Sequence, residues 1–228
     1  MNYVIFPLGD AGLTVEFGNE ISAELNNRVI NLAGFFDKNP FPGFVETVPA
    51  YASLSVFYDV SIVRKNFPDF PMAFEAIKNF TENALQNLDD LEENKPRPVE
   101  IPVCFDSEYA LDLDSVAALN NLEASNVIKI FLAATYRVYM LGFLPGFAYM
   151  GEVDERIAAP RKTAPRLRVP KGSVGIAGRQ TGIYSLESPG GWQIIGRTNI
   201  ELFTPKAENP TFLQAGDSVK FYEIKVLS

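Results

Sequence analysis

The chain has 228 residues, a net charge of −8, one cysteine and no histidine, which removes several chemistries before any motif is weighed. Histidine triads, imidazole metal sites and a histidine phosphoacceptor are excluded, and Cys104 alone makes neither an internal disulfide nor a multi-cysteine metal centre. The acidic balance argues against general nucleic-acid binding, while an apolar fraction of 47% with 21% charged residues is the composition of a folded chain long enough for two domains of roughly 100 residues.

The N-terminus, MNYVIFPLGDAG, has no basic start, and Pro7 and Gly9 break its apolar run. No signal peptide is expected there. No later stretch reaches the roughly 18 apolar residues that span a bilayer, so the expected location is the cytoplasm. Leu13, Val15 and Phe17 alternate and predict a strand. Ser22 is a good N-cap for a helix over 22–36, with Leu25, Val29, Ile30 and Leu32 near helical spacing. Pro40, Pro42 and Gly43 break the chain. VETVPAYASLSVFYD then alternates as two strands kinked at Pro49. Pro71 opens a second helix over 71–90, striped by Phe74, Ile77, Ala84, Leu85 and Leu88. The order β-α-β-β-α predicts a small ferredoxin-like α+β domain over residues 1–95. The acidic, proline-punctuated LDDLEENKPRPVE reads as a linker, with the boundary near residue 95.

The second half opens on IPVCF, a predicted strand. Asp114 or Ser115 caps a short helix over 115–121, and Ser125 caps NVIKIFLAAT. Beyond residue 135 glycine and proline recur every few residues between short apolar runs: YRVYMLGF, SVGIAG, GIYSL, GWQIIGR and VKFYEIKV. That pattern predicts a β-barrel or sandwich with functional loops over 96–228.

Charge is unevenly spread. Acids dominate residues 1–155, whereas Arg156, Arg161, Lys162, Arg166, Arg168, Lys171 and Arg179 follow with no acid among them. This end is built to meet something anionic, or else is a solvated basic loop, or pairs with the acidic half. Arg161, Lys162, Arg166 and Arg168 lie in PRKTAPRLRV, a loop that prolines stiffen, with Lys171 just beyond it. Arg166 and Arg168 share a face if it is extended, and guanidinium forks suit carboxylate or phosphate. In GFLPGFAYMG, glycines bracket Phe143, Phe147 and Tyr149. Phe147 and Tyr149 are candidates to wall a flat apolar slot, and Phe143 reads as a core aromatic at a barrel corner. In GRQTGIYSLESPGGWQIIGRT, Gln180 and Thr181 offer neutral hydrogen bonds, and Ser188-Pro-Gly-Gly-Trp192 reads as a tight turn presenting the only tryptophan, or as a hairpin with a core indole. No phosphate-loop spacing is present, so no self-contained ATP site is visible. Tyr51, Tyr58 and Cys104 read as structural.

PLGDAGLTVEFG, VPAYASLSVFYD, YRVYMLGFLPGFAYMG, PRLRVPKGSVGIAGRQTGIY and SPGGWQIIGRT together resemble the family of the 5-oxoprolinase B-type subunit, the sporulation kinase-A inhibitor and allophanate hydrolase subunit 1, and are similar to subdomains C and D of the urea carboxylase carboxyltransferase region. The resemblance implies an α+β N-terminal domain followed by a cyclophilin-like β-barrel. It implies a companion subunit resembling allophanate hydrolase subunit 2, a third LamB/YcsF-like subunit, and ATP-dependent opening of 5-oxo-L-proline to L-glutamate, with ATP bound somewhere in the complex. From residue type and placement, Arg166 and Arg168 are expected to hold a substrate carboxylate or activated phosphate, Phe147, Tyr149 and Trp192 to wall the slot, and Gln180 with the Gly190-Gly191 amides to bind the amide oxygen; no catalytic residue is assigned. The kinase-inhibitor branch implies a protein-binding module instead, and the urea branch implies allophanate chemistry. The shortage of catalytic groups in one chain predicts a homodimer or hetero-oligomer. Two places depart from the family pattern: Phe131 and Leu132 stand where members carry His-Ser, and Asp106-Ser107 where members carry Gly-Gly.

Overall fold

The computed structural model describes residues 2–86 and 96–226, and the chain divides into two compact units, Met1–Lys95 and Pro96–Ser228. The end of the second predicted helix and most of the acidic linker segment lie outside the described residues. The tail of that segment, from Pro98, is already strand.

The first unit runs β1 (Val4–Pro7), β2 (Gly12–Glu16), α1 (Ala23–Lys38), β3 (Phe44–Pro49), β4 (Ser53–Tyr58), α2 (Val60–Asn66) and α3 (Ala73–Gln86). Its antiparallel sheet has the order β1-β2-β4-β3. Strand alternation puts Leu13, Val15, Leu54 and Val56 on the face that α1 and α3 cover with Val29, Leu32, Phe36, Ala76, Ile77 and Leu85. Each fully buried aliphatic or aromatic side chain contributes about 1.5–3 kcal/mol. Ser22 caps α1 by accepting the Leu25 amide at 3.4 Å. The short α2, which periodicity does not announce, starts where Asp59 accepts the Ile62 amide at 2.9 Å.

The second unit runs β5 (Pro98–Val103), α4 (Leu113–Leu119), α5 (Ala124–Ala133), β6 (Tyr136–Leu141), β7 (Ala148–Gly151), a 3-10 turn (Glu155–Ile157), β8 (Arg166–Val169), β9 (Ser173–Ala177), β10 (Gln180–Ile183), β11 (Ser188–Gly190), β12 (Gln193–Arg197) and β13 (Ser218–Glu223). Seven strands form one sheet, β12-β9-β10-β7-β6-β13-β5, and β8 with β11 forms a separate ribbon. The two edges of the seven-stranded sheet meet. The Cys104 amide donates to the Arg197 carbonyl at 2.8 Å, and the Arg197 amide returns to Cys104 at 2.9 Å. One such pair nearly closes the barrel.

Val138, Met150, Val174, Ile176, Ile183, Ile195, Val219 and Phe221 fill the interior, joined by α4 and α5. Phe131 of α5 lies wholly inside, 5.0 Å from both Tyr136 and Phe221 by ring centroids. The position where the sequence reading expects a polar pair is therefore a core position here. Both helices start earlier than the sequence suggests, with Asp112 and Glu123 at the cap positions in place of Asp114 or Ser115 and Ser125. Neither cap uses its side chain on the helix, and the Asp112 carboxylate is engaged elsewhere. Among the described residues no helix is long and apolar enough to cross a membrane.

Candidate functional site

Adjacent residues on a strand point to opposite faces, and around β7, β9 and β10 both faces are apolar. Ala148, Met150, Val174, Ile176 and Ile183 enter the barrel core. Their neighbours Phe147, Tyr149, Ala177 and Tyr184 form a second cluster outside it with Val169, Trp192 and Ile194. Two glycines make room for this outer layer. Gly175 and Gly182 are register partners; a Cβ on Gly182 would stand 2.9 Å from the Phe147 ring, and one on Gly175 3.1 Å from the Trp192 Cβ. The rings therefore lie directly on the backbone.

Phe147 is the hub. Its ring centroid lies 4.9 Å from Tyr149, 5.4 Å from Tyr184 and 5.5 Å from Trp192, all edge-to-face. Phe143 adds an outer edge, 5.4 Å from Phe147. It is not the core aromatic that the sequence suggests: it is 58% exposed, with φ at +68°. A non-glycine residue rarely adopts that conformation, and such residues cluster at ligand sites. Arg161 places its guanidinium 5.9 Å from the Trp192 ring centroid, within cation–π range. The platform thus has a buried floor of Phe147 and Trp192 and an exposed rim of Phe143 and Arg161, with Tyr149 half-buried between them.

The basic loop is fastened beside this platform. The Lys162 amide donates to the Gly191 carbonyl at 2.7 Å, and the Gln193 side chain donates to Pro160 at 3.0 Å. Its main anchor is Asp112, a residue with no sequence signal of its own. One carboxylate oxygen accepts Lys162 Nζ at 2.8 Å and Arg166 Nη2 at 2.7 Å. The other accepts Arg166 Nη1 at 2.6 Å and the Ile194 amide at 2.8 Å. Burial by itself would raise the Asp112 pKa; the Arg166 fork, the Lys162 ammonium and the Ile194 amide outweigh it and hold the carboxyl below its ordinary value. The same pairing, against some desolvation, raises the Arg166 guanidinium. Tyr184 is pushed up, first by burial, although the Trp192 amide hydrogen-bonds its hydroxyl.

A domain signature, "Carboxyltransferase domain, subdomain C and D", matches residues 3–213. The chain belongs to that family. Similar proteins include the B-type subunit of 5-oxoprolinase from Bacillus subtilis (strain 168), 47% identical over 98% of this chain and 94% of that protein, and the urea amidolyase of Lachancea kluyveri, 25% identical over 95% of this chain but only 13% of that protein. Among solved structures, the crystal structure of TTHA0988 superposes with a TM-score of 0.78 at 37% identity, covering 94% of this chain; this chain spans 40% of that longer one.

On this carboxyltransferase scaffold the residues singled out from sequence fall into three groups. Phe147, Tyr149 and Trp192 come together in the platform, and Gly190 and Gly191 border it. A Cβ on Gly190 would collide with the Tyr184 hydroxyl, so glycine is needed there. Arg166 is adjacent but has both terminal nitrogens on Asp112. Arg168 is turned outward, with Nε 2.9 Å from Glu187; Leu167 between them is 86% exposed. Gln180 begins β10 opposite Gly151 and Ala177, on the platform's strand face but beyond its rings. The basic excess does not await an anion as a block. Arg156 pairs with Asp154, Lys171 with Glu201 and Arg179 with Glu155, and Arg161 is the member without an ion pair among the described residues. Sequence reasoning missed Asp112, Lys162, Arg161 and Tyr184 as site-builders. Of these, Lys162, Arg161 and Tyr184 sat in motifs already singled out, and Asp112 did not. Cys104 is wholly buried, and burial raises its thiol pKa, which leaves it inert.

Proposed function

We propose that this chain is the non-autonomous B-type subunit of an ATP-dependent, cytoplasmic 5-oxoprolinase assembly that opens 5-oxo-L-proline to L-glutamate. The end-to-end likeness to the B-type subunit of a 5-oxoprolinase carries the reading, and the site's chemistry supports the subunit part of it. General acid–base catalysis near neutrality needs a group titrating near 7. Around the platform Asp112 is locked as a carboxylate and Tyr184 is held as a phenol, and the chain has no histidine. What this site does well is hold and orient. Phe147, Tyr149 and Trp192 wall a flat slot suited to a small lactam, Arg161 and Arg168 attract its carboxylate, and Arg166 positions the loop through Asp112. Gln180 and the backbone amides at Gly190-Gly191, where the predicted turn is instead the end of strand β11, hold the amide oxygen.

The residues present do not fit a triphosphate. The sequence has no phosphate-loop spacing, and Lys162 and Arg166 are held on the buried Asp112 carboxylate, so we assign ATP to another subunit. Companions resembling allophanate hydrolase subunit 2 and the LamB/YcsF type supply it and the missing acid–base groups. Residues 1–95 form a ferredoxin-like domain and residues 96–228 a cyclophilin-like barrel in this reading, the near-closed seven-stranded sheet supporting the latter. The urea amidolyase likeness supports a second reading, amide hydrolysis of allophanate, on weaker identity.

The test is L-glutamate release from 5-oxo-L-proline and ATP, with this chain alone, with its companions, and with the companions alone. Release only from the full mixture is expected. No release from a well-folded, associated mixture overturns the reading, and release from allophanate in its place selects the second one; binding to a sensor histidine kinase would then select the inhibitor branch.

A further inference from the structure

The motif SPGGWQIIGRT ends in Arg197, which the aromatic platform does not use. Arg197 closes the barrel through its backbone pair with Cys104, and its side chain is fixed as well. Nε donates to the Lys171 carbonyl at 2.9 Å, and the guanidinium carbon stands 5.8 Å from the Tyr109 ring centroid. No carboxylate among the described residues pairs with it. The Lys171-Gly172 turn that receives Nε is tight: Gly172 adopts φ +82°, and a Cβ there would collide with the Thr198 carbonyl. Arg197 thus faces a cleft of about 320 Å³ bounded by Tyr109, Lys171, Asn199, Ile200 and Glu201, the small end of the roughly 300–1,000 Å³ range of ligand pockets. Lys171 and Glu201 form an ion pair at its rim, 2.6 Å apart and about half exposed.

Two cations and one anion leave this cleft one positive charge in excess. An unpaired guanidinium calls for a carboxylate; the rim carboxylate matches an ammonium, and the rim ammonium a second carboxylate. A dicarboxylic α-amino acid has that set of groups and the complementary net charge. We propose that this cleft binds L-glutamate, with its α-carboxylate on Arg197, its ammonium on Glu201 and its side-chain carboxylate on Lys171. The choice of L-glutamate within the class rests on the 5-oxoprolinase reading, whose product it is; the dicarboxylic amino-acid class rests on the cleft alone. The site is separate from the platform, and the backbone joins them: the Gly172 amide donates to the Tyr184 carbonyl at 2.7 Å.

The experiment is isothermal titration calorimetry of the full chain, without companions, against L-glutamate, L-glutamine and 5-oxo-L-proline. Saturable L-glutamate binding is expected, roughly tenfold weaker for L-glutamine, which lacks the second carboxylate, and weaker by a similar factor or more in R197Q, with R197K between. E201Q changes only an exposed side chain, so its expected loss of affinity stands even if R197Q folds poorly. No saturable binding to the unaltered chain, or equal affinity in R197Q and E201Q, overturns the site. Turnover by the reconstituted complex is read separately. Glutamate binding without turnover supports this site and removes the 5-oxoprolinase reading; turnover without glutamate binding keeps that reading and removes this site.

Discussion

Replacing Asp112 with Asn tests how the basic loop is held. The carboxylate, 3% exposed, accepts four hydrogen bonds from three groups, Lys162, Arg166 and the Ile194 amide. An amide has the same shape but one acceptor oxygen, so two donors meet an NH2 group and both cations lose their counter-charge. Charge-assisted hydrogen bonds are worth about 1.5–3 kcal/mol each, and removing one partner of a fully buried pair costs about 3–5 kcal/mol. Lys162 and Arg166 remain about a quarter exposed and recover part of this from water, which leaves a loss of about 3 kcal/mol. For a unit of this size that is a fall in Tm of about 10 °C. The pH dependence has a definite sign. The folded-state pKa lies below the unfolded value of about 3.9, so the contribution of Asp112 is fully present above that value and is lost as pH falls through the folded pKa. Thermal melts followed by circular dichroism from pH 7 down to pH 3 should show the wild type losing stability below about pH 4 and D112N losing less over the same window. A Tm change under about 2 °C at pH 7, or an unchanged acid limb, would refute the claim that this carboxylate anchors the loop.

Gly190→Ala should lower stability by about 1–3 kcal/mol in denaturant titration, because its methyl displaces the Tyr184 hydroxyl from the Trp192 amide. Phe131→His should cost about 2–4 kcal/mol by the same measurement: it exchanges a buried ring stacked on Phe221 and tilted against Tyr136 for a buried polar group. Arg168→Ala should leave Tm unchanged within error, since its pair with Glu187 is exposed on both sides and such pairs contribute about 0–1 kcal/mol; any fall in turnover of the complex then reports ligand contact. Cys104 should resist iodoacetamide at neutral pH and react once guanidinium unfolds the chain, read by intact mass.

Much of the fold is legible locally. Periodicity places α1, the start of α3, α5 and most strands of the barrel to within a few residues, because a helix or strand needs only its own stripe of apolar side chains to declare itself. The weak point is caps. Ser22 works as expected, but α4 starts at Leu113, just after Asp112, whose amide donates to the Ile194 carbonyl at 2.7 Å and whose carboxylate holds the basic loop; nothing in DLDSV announces those remote partners. Strands as short as β7, β8 and β11 carry too few residues for alternation to register.

The candidate site divides along the same line. Composition alone excludes histidine chemistry, internal disulfides and thiol clusters, and the five long motifs are enough to mark the family, since both are properties of residues whatever their neighbours. Which cation is available is another matter. In sequence Arg161, Arg166, Arg168 and Arg197 look alike. Arg166 is neutralised by a carboxylate 54 residues earlier, Arg168 by one across a ribbon, Arg161 lies over an indole, and Arg197 lies beside Tyr109 without an acid. Those fates depend on a barrel that closes when Cys104 meets Arg197 and on glycines at 175 and 182 that let aromatic rings rest on the sheet. Residues specify their own chemistry locally; distance to a counter-charge is set only when remote strands are brought together, and the tertiary structure decides it.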